Sequence, residues 1–126
     1  MKKITLTVLL ILLVLLSACT RKIGWVGMNF DSKMKATYIG FDGPESAIVR
    51  LEAGEEFMLD YQVTVEEGKL TLQLTGPDGL VVFWETFKAD DEGQFQFTSE
   101  KGGRYLLQAI GVETRGGYDL SWELMN

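Results

Sequence analysis

The sequence predicts an all-β protein, an antiparallel β-sandwich of jelly-roll type with seven to eight strands, behind an N-terminal helical signal segment. Three observations predict it. From Lys35 onward apolar and polar residues alternate with a period of two almost everywhere, the pattern of half-buried strands. Clusters of Gly, Pro, Asp and Glu interrupt that pattern at short, regular intervals, as turns do in sandwiches and barrels. Helical periodicity is not evident beyond the first apolar run.

That first run begins with Met1, Lys2 and Lys3 and continues as an apolar stretch from Ile4 to Leu16, broken only by Thr5 and Thr7. A basic start, an apolar middle and small residues at Ser17-Ala18 follow the plan of a secretory signal. At about 1.5 Å per residue the apolar stretch makes roughly 20 Å of helix, too short for a hydrocarbon core of about 30 Å.

Residues 19–33 read as a tether leading into a domain at 34–126. Thr20, Arg21 and Lys22 are polar, and Ile23 to Phe30 is apolar but interrupted by Gly24 and Gly27. This stretch is either a membrane- or partner-contacting segment or a first edge strand, and the edge strand is the favoured reading. Thr37 to Phe41 forms a strand, followed by a turn at Asp42-Gly43-Pro44 and a second strand over Ala47–Leu51. Phe57, Leu59, Tyr61, Val63 and Val65 share one strand face, and Glu66-Glu67-Gly68-Lys69 turns into Leu70, Leu72 and Leu74.

Gly76-Pro77-Asp78-Gly79 has the chemistry of a tight turn. Proline presets its dihedral, aspartate bonds the backbone two residues on, and glycine accepts a positive φ. It joins 70–75 to 80–87. In that second arm Leu80 to Trp84 is apolar on both faces, which fits burial on both sides or a face turned to a partner. Ala89 to Gly93 is an acidic loop. Phe95 and Phe97 alternate with Gln94 and Gln96, and Lys101-Gly102-Gly103 turns into a strand over Arg104–Val112. Glu113 to Gly117 turns again before Tyr118, Leu120, Trp122 and Leu124 close the chain.

Charge and composition remove several function classes. The chain carries 12 basic and 18 acidic residues, a net charge of −6. Without residues 1–18 and their two lysines the balance is 10 − 18 = −8. Such a domain does not suit nucleic acid or flat contact with anionic lipid. Histidine is absent, which removes the commonest general base and metal ligand. Cys19 is the single cysteine, so no disulfide forms within the chain.

Leu16-Ser17-Ala18-Cys19 resembles the lipobox of bacterial lipoproteins. The resemblance implies cleavage before Cys19 and lipidation of its sulfur with diacylglycerol, with fatty acyl chains of the palmitate class. Each buried methylene contributes about 0.8 kcal/mol, so two or three chains hold where one does not. The protein is then expected outside the cytoplasm, anchored to the cell membrane or, in a two-membrane cell, to the outer membrane, since Thr20 stands where an inner-membrane retention aspartate would.

Farther along, Gly76-Pro77-Asp78-Gly79, Phe95 and Phe97, Gly103-Arg104-Tyr105 and Gly117-Tyr118 with Leu120 and Trp122 resemble pre-peptidase C-terminal domains and the related CUB- and GOLD-type jelly rolls. Those motifs are structural. The resemblance implies a fold and a non-catalytic binding role, with contact to an envelope protein or a cell-surface polymer; the alternative is an accessory lipoprotein that docks to a membrane partner. No cofactor is expected.

Few residues stand out as site candidates. Trp84, Tyr38 and Arg50 are the ligand-binding candidates; Trp25 has similar chemistry, and Trp122 belongs on a core face. Trp84 either packs in the core or offers a flat surface to a ligand. Arg50, Arg104 and Arg115 either fork a carboxylate or make surface ion pairs. Asp90, Asp91 and Glu92, with Glu85, are the candidate calcium donors, and adjacent carboxylates cannot all face one ion that wants six to eight oxygens. A solvated acidic loop is the expected reading. Nothing in the chain signals a hydrolase.

Overall fold

The computed structural model describes residues 20–125. The signal segment 1–18 and Cys19 lie outside the described residues. Seven antiparallel strands follow in order: β1 (Arg21–Ile23), β2 (Val26–Phe30), β3 (Lys33–Leu51), β4 (Glu56–Thr75), β5 (Val81–Phe87), β6 (Asp91–Thr98) and β7 (Gly103–Met125). No helix occurs among the described residues.

Three of these strands are two predicted strands run together. The expected turns at 42–44, 66–69 and 113–117 are bends inside β3, β4 and β7, marked by register shifts between Tyr38 and Gly43 and between Val65 and Lys69. Polar, glycine-containing sequence supports a sharp bend as well as a hairpin, and here hydrogen bonding resumes along the same strand beyond each bend. The bends lie level with one another, since Phe41 pairs with Thr114 and Glu67 with Arg115. One sheet is thus folded over along a line.

The fold makes two layers. The first holds β2, β3 (33–38), β7 (116–125), β4 (56–65) and β6. The second holds β3 (43–51), β7 (103–112), β4 (69–75) and β5. β1 pairs with β3 at 40–42, beside the fold line. Period-two alternation sends one side chain in two between the layers: Phe57, Leu59 and Leu120 from the first meet Leu70, Leu72, Leu74 and Leu107 from the second, all fully buried. Aromatic pairs bridge the gap at one side, with Phe83 stacked on Phe95 at 4.3 Å between ring centres and Phe97 tilted against Tyr105 at 5.7 Å.

The predicted turn at 76–79 forms. Gly79, at φ +83, donates to the Gly76 carbonyl, and the Asp78 carboxylate accepts from Leu80 N at 3.2 Å. The β2–β3 hairpin turns through Asp31 and Ser32, both at positive φ, as two-residue hairpins require. The stretch read as a tether is therefore paired to β3 from Arg21 onward.

Candidate functional site

The outer face of the second layer collects the most ligand-like chemistry. β5 is the edge strand of that layer. Its inward residues Phe83, Glu85 and Phe87 turn toward the first layer, so Val82, Trp84 and Thr86 face out. Trp84 is 67% exposed. Within the apolar run Leu80 to Trp84, Phe83 points inward while Val82 and Trp84 lie exposed, so burial on both sides does not hold.

Register places a row of polar side chains next to that indole. Trp84 pairs with Gln73, Gln73 with Gln108, and Gln108 with Ser46. At about 4.8 Å between strands the row spans roughly 14 Å. Gln108 Nε2 donates to Ser46 Oγ at 3.3 Å, and Gln73 Nε2 to Thr75 Oγ1 at 3.4 Å. Both amides keep further donor and acceptor capacity. A neighbouring row carries Thr71 and Thr86, whose hydroxyls lie 2.8 Å apart. A flat indole at the end of a strip of amides and hydroxyls can stack on one ring of a ligand and hydrogen-bond the rest.

Arg50 and Arg104 face out on the same layer as direct cross-strand partners. Arg115 behaves differently: its Nε lies 3.1 Å from a Glu66 carboxylate oxygen, an exposed ion pair.

Tyr38 does not join this face, which corrects its place among the ligand candidates. It is 5% exposed and belongs to a cluster with Trp25, Phe41 and Tyr118. Position 38 falls on the inward phase of β3, and Trp25 covers it from the β1–β2 connection. Burial pushes the Tyr38 hydroxyl up to about 12, with the Thr114 hydroxyl beside it easing the shift. Tyr118 is raised further, again first by burial and then by Glu45. The hydroxyls of Tyr38, Thr114 and Tyr118 have no partner in good hydrogen-bond geometry. Trp122 packs in the core, as its strand phase requires.

The acidic loop places its carboxylates apart. Asp90 accepts from Val65 N at 2.9 Å, Asp91 from Glu92 N at 2.8 Å, and Glu85 from the Tyr61 hydroxyl at 3.3 Å. Among the described residues no three acidic side chains come together as a metal site would need. Among the described residues no carboxylate is buried; the buried polar groups include the hydroxyls of Ser99, Thr114 and the core tyrosines.

Gln73, Gln108 and Ser46 carry the face and were not singled out in the sequence. Each sits in the polar phase of its strand, as dozens of surface residues do, and only strand order brings them together.

No family model matches this chain, and no curated protein matches it. Solved structures do. The pre-peptidase C-terminal domain of a collagenase from Bacillus anthracis aligns with a TM-score of 0.55 at 17% identity, over 76% of this chain and 91% of that one. PliG of Aeromonas hydrophila, a periplasmic inhibitor of g-type lysozyme, aligns at 0.49 and 15% identity over 76% and 93%. A carbohydrate-binding module of Cellvibrio mixtus lichenase 5A, in complex with cellotriose, aligns at 0.43 and 17% identity over 87% and 92%. The likeness to the collagenase domain establishes the β-sandwich fold, in agreement with the resemblance carried by the turn and closing-strand motifs.

Proposed function

We propose that this chain is a lipid-anchored, extracytoplasmic and non-catalytic binding module that holds a hydroxyl-rich cell-surface polymer across the outer face of its second layer. The observation that carries this reading is Trp84, exposed at the end of the row Gln73–Gln108–Ser46. An exposed indole offers a flat apolar face beside a polar N–H, and polysaccharide rings offer apolar faces for stacking and hydroxyls for the amides. The lipobox Leu16-Ser17-Ala18-Cys19 supports the anchor. The absence of histidine from the sequence supports binding in place of catalysis.

The test is affinity electrophoresis of the purified chain through gels containing soluble polysaccharides, beside a Trp84→Ala variant. Retardation by at least one polymer that Trp84→Ala abolishes supports the reading. Retardation unchanged by the substitution, or none with any envelope polymer of the source cell, overturns it. Intact-mass analysis of the membrane fraction, against Cys19→Ala, tests the anchor separately.

A second reading has its own observation. Val26, Met28 and Phe30 lie exposed along one face of edge strand β2, a stripe suited to a membrane partner protein near the tether. Cross-linking from Met28 that captures one protein, with polymer binding absent, favours that reading.

A further inference from the structure

We propose that Arg50 and Arg104 form an anion subsite, so that the polymer held on the outer face carries carboxylate or phosphate groups. This rests on the reading of that face as a polymer site and names the chemical class of its ligand.

The two arginines are direct partners across β3 and β7. Both face outward, since their neighbours Val49, Leu51 and Tyr105 are buried. Like charges directly opposite one another on a sheet destabilise it. The chain has ample means to avoid this, with 18 acidic residues to 12 basic ones. Among the described residues five other cations find acidic partners, Lys22 with Glu45, Lys33 and Lys35 with Asp119, Lys101 with Asp78, and Arg115 with Glu66, whereas Arg21, Lys69 and Lys88 stand without one but have no like charge as register partner across a strand pair. Among the described residues neither Arg50 nor Arg104 makes an ion pair.

Their surroundings form a recess. Arg50 and Arg104 line a groove of about 610 Å³ with Ser46, Ile48 and Trp122, and the β2–β3 hairpin contributes Phe30 and the charged Asp31 and Lys33 to it. Ser46 is also the end of the polar row that starts at Trp84, so the groove continues the proposed binding face. From strand and residue spacings, Trp84 and Arg50 stand roughly 20 Å apart, a reach for a polymer and not for a single sugar. Guanidinium groups present forked donors that match carboxylate and phosphate oxygens, and one anion between two of them turns repulsion into a pair of charge-assisted contacts.

The experiment uses the full chain in detergent and three probes: polygalacturonate, the same polymer fully methyl-esterified, and poly(glycerol phosphate). Binding is read by affinity electrophoresis at low salt. The chain is expected to hold a charged probe at least tenfold more tightly than the ester, and the better of the two charged probes tells carboxylate from phosphate. Arg50→Gln with Arg104→Gln should reduce that affinity to the level of the ester. Arg→Lys at both sites should restore only part of it, because the fork is lost. The double Gln variant should also melt no lower than the parent at low salt, since a repulsion is removed. Equal binding of all three probes, no binding of either charged probe, or a preference that survives in the double Gln variant overturns the anion subsite. Binding that Trp84→Ala leaves unchanged overturns the reading of the face itself, which is a distinguishable failure.

Discussion

Replacing Gly116 by alanine tests the fold line at its tightest point. Gly116 has φ +142 and pairs with both Tyr38 and Val65 where β7 bends between the layers. A Cβ at this position would run into the Thr64 carbonyl oxygen, with Val65 N at 3.3 Å behind it. Two costs add. A non-glycine residue held in so sparsely populated a backbone region costs about 1–3 kcal/mol. Displacing packed backbone to admit a methyl group costs about 1–3 kcal/mol more. The sum, about 2–6 kcal/mol, is a large share of the 5–15 kcal/mol that usually separates folded from unfolded states. Gly79→Ala is the control: its φ of +83 is also positive, but nothing lies within 4 Å of the added Cβ, so only the backbone term of about 1–2 kcal/mol applies. Urea unfolding followed by tryptophan fluorescence gives both midpoints. Equal shifts for the two variants, with unchanged slopes, would refute the close approach of β7 to β4 at the bend.

Alkaline pH should weaken the fold through its buried tyrosines. An unfolded tyrosine titrates near 10, whereas Tyr38 holds its proton up to about 12, so between those values the unfolded chain releases a proton that the folded chain retains. Stability is therefore intact below pH 10 and falls as pH rises toward 12, by about 2–3 kcal/mol for Tyr38; urea midpoints at pH 9 and 11.5 should show the drop, and Tyr38→Phe should lessen it. Trp122→Ala should cost about 3–5 kcal/mol, as truncation of a buried aromatic does, while Trp84→Ala stays within about 0.5 kcal/mol; thermal melts of both separate core from surface. Tyr105 donates to the Lys101 carbonyl at 2.7 Å, so Tyr105→Phe should cost about 1 kcal/mol, and a melt indistinguishable from the parent would show that this bond contributes nothing.

Strand phase was legible in the sequence nearly throughout. The alternations at 57–65, 70–74, 105–109 and 118–124 place the core residues correctly except for Tyr61, which is half-buried, and Leu124, which is exposed near the end of β7. The bends were not legible. Asp42-Gly43-Pro44 and Glu66-Glu67-Gly68-Lys69 have turn chemistry, and whether hydrogen bonding resumes along the same line depends on partners dozens of residues away. Tyr38 was misplaced for a related reason: its exposure depends on Trp25, which reaches it only because β1 and β2 pair with β3. Trp84 was visible as a residue with two possible fates, and the position of β5 at a layer edge decides between them. The opposition of Arg50 and Arg104 required a register that no local pattern encodes.

The strand order, β1-β3-β7-β4-β5, has a consequence for how the chain comes to be folded. The last strand in the sequence is the middle strand of both layers: β7 pairs with β3 and β4 on either side of the fold line. Without residues 103–125, β2 can pair with β3, and β5 and β6 with β4, but nothing joins β3 to β4 in either layer. Pairings as distant as Lys33 with Ser121 also make assembly slow. Closure of both layers therefore waits on one strand, and a change that weakens β7 opens the two together.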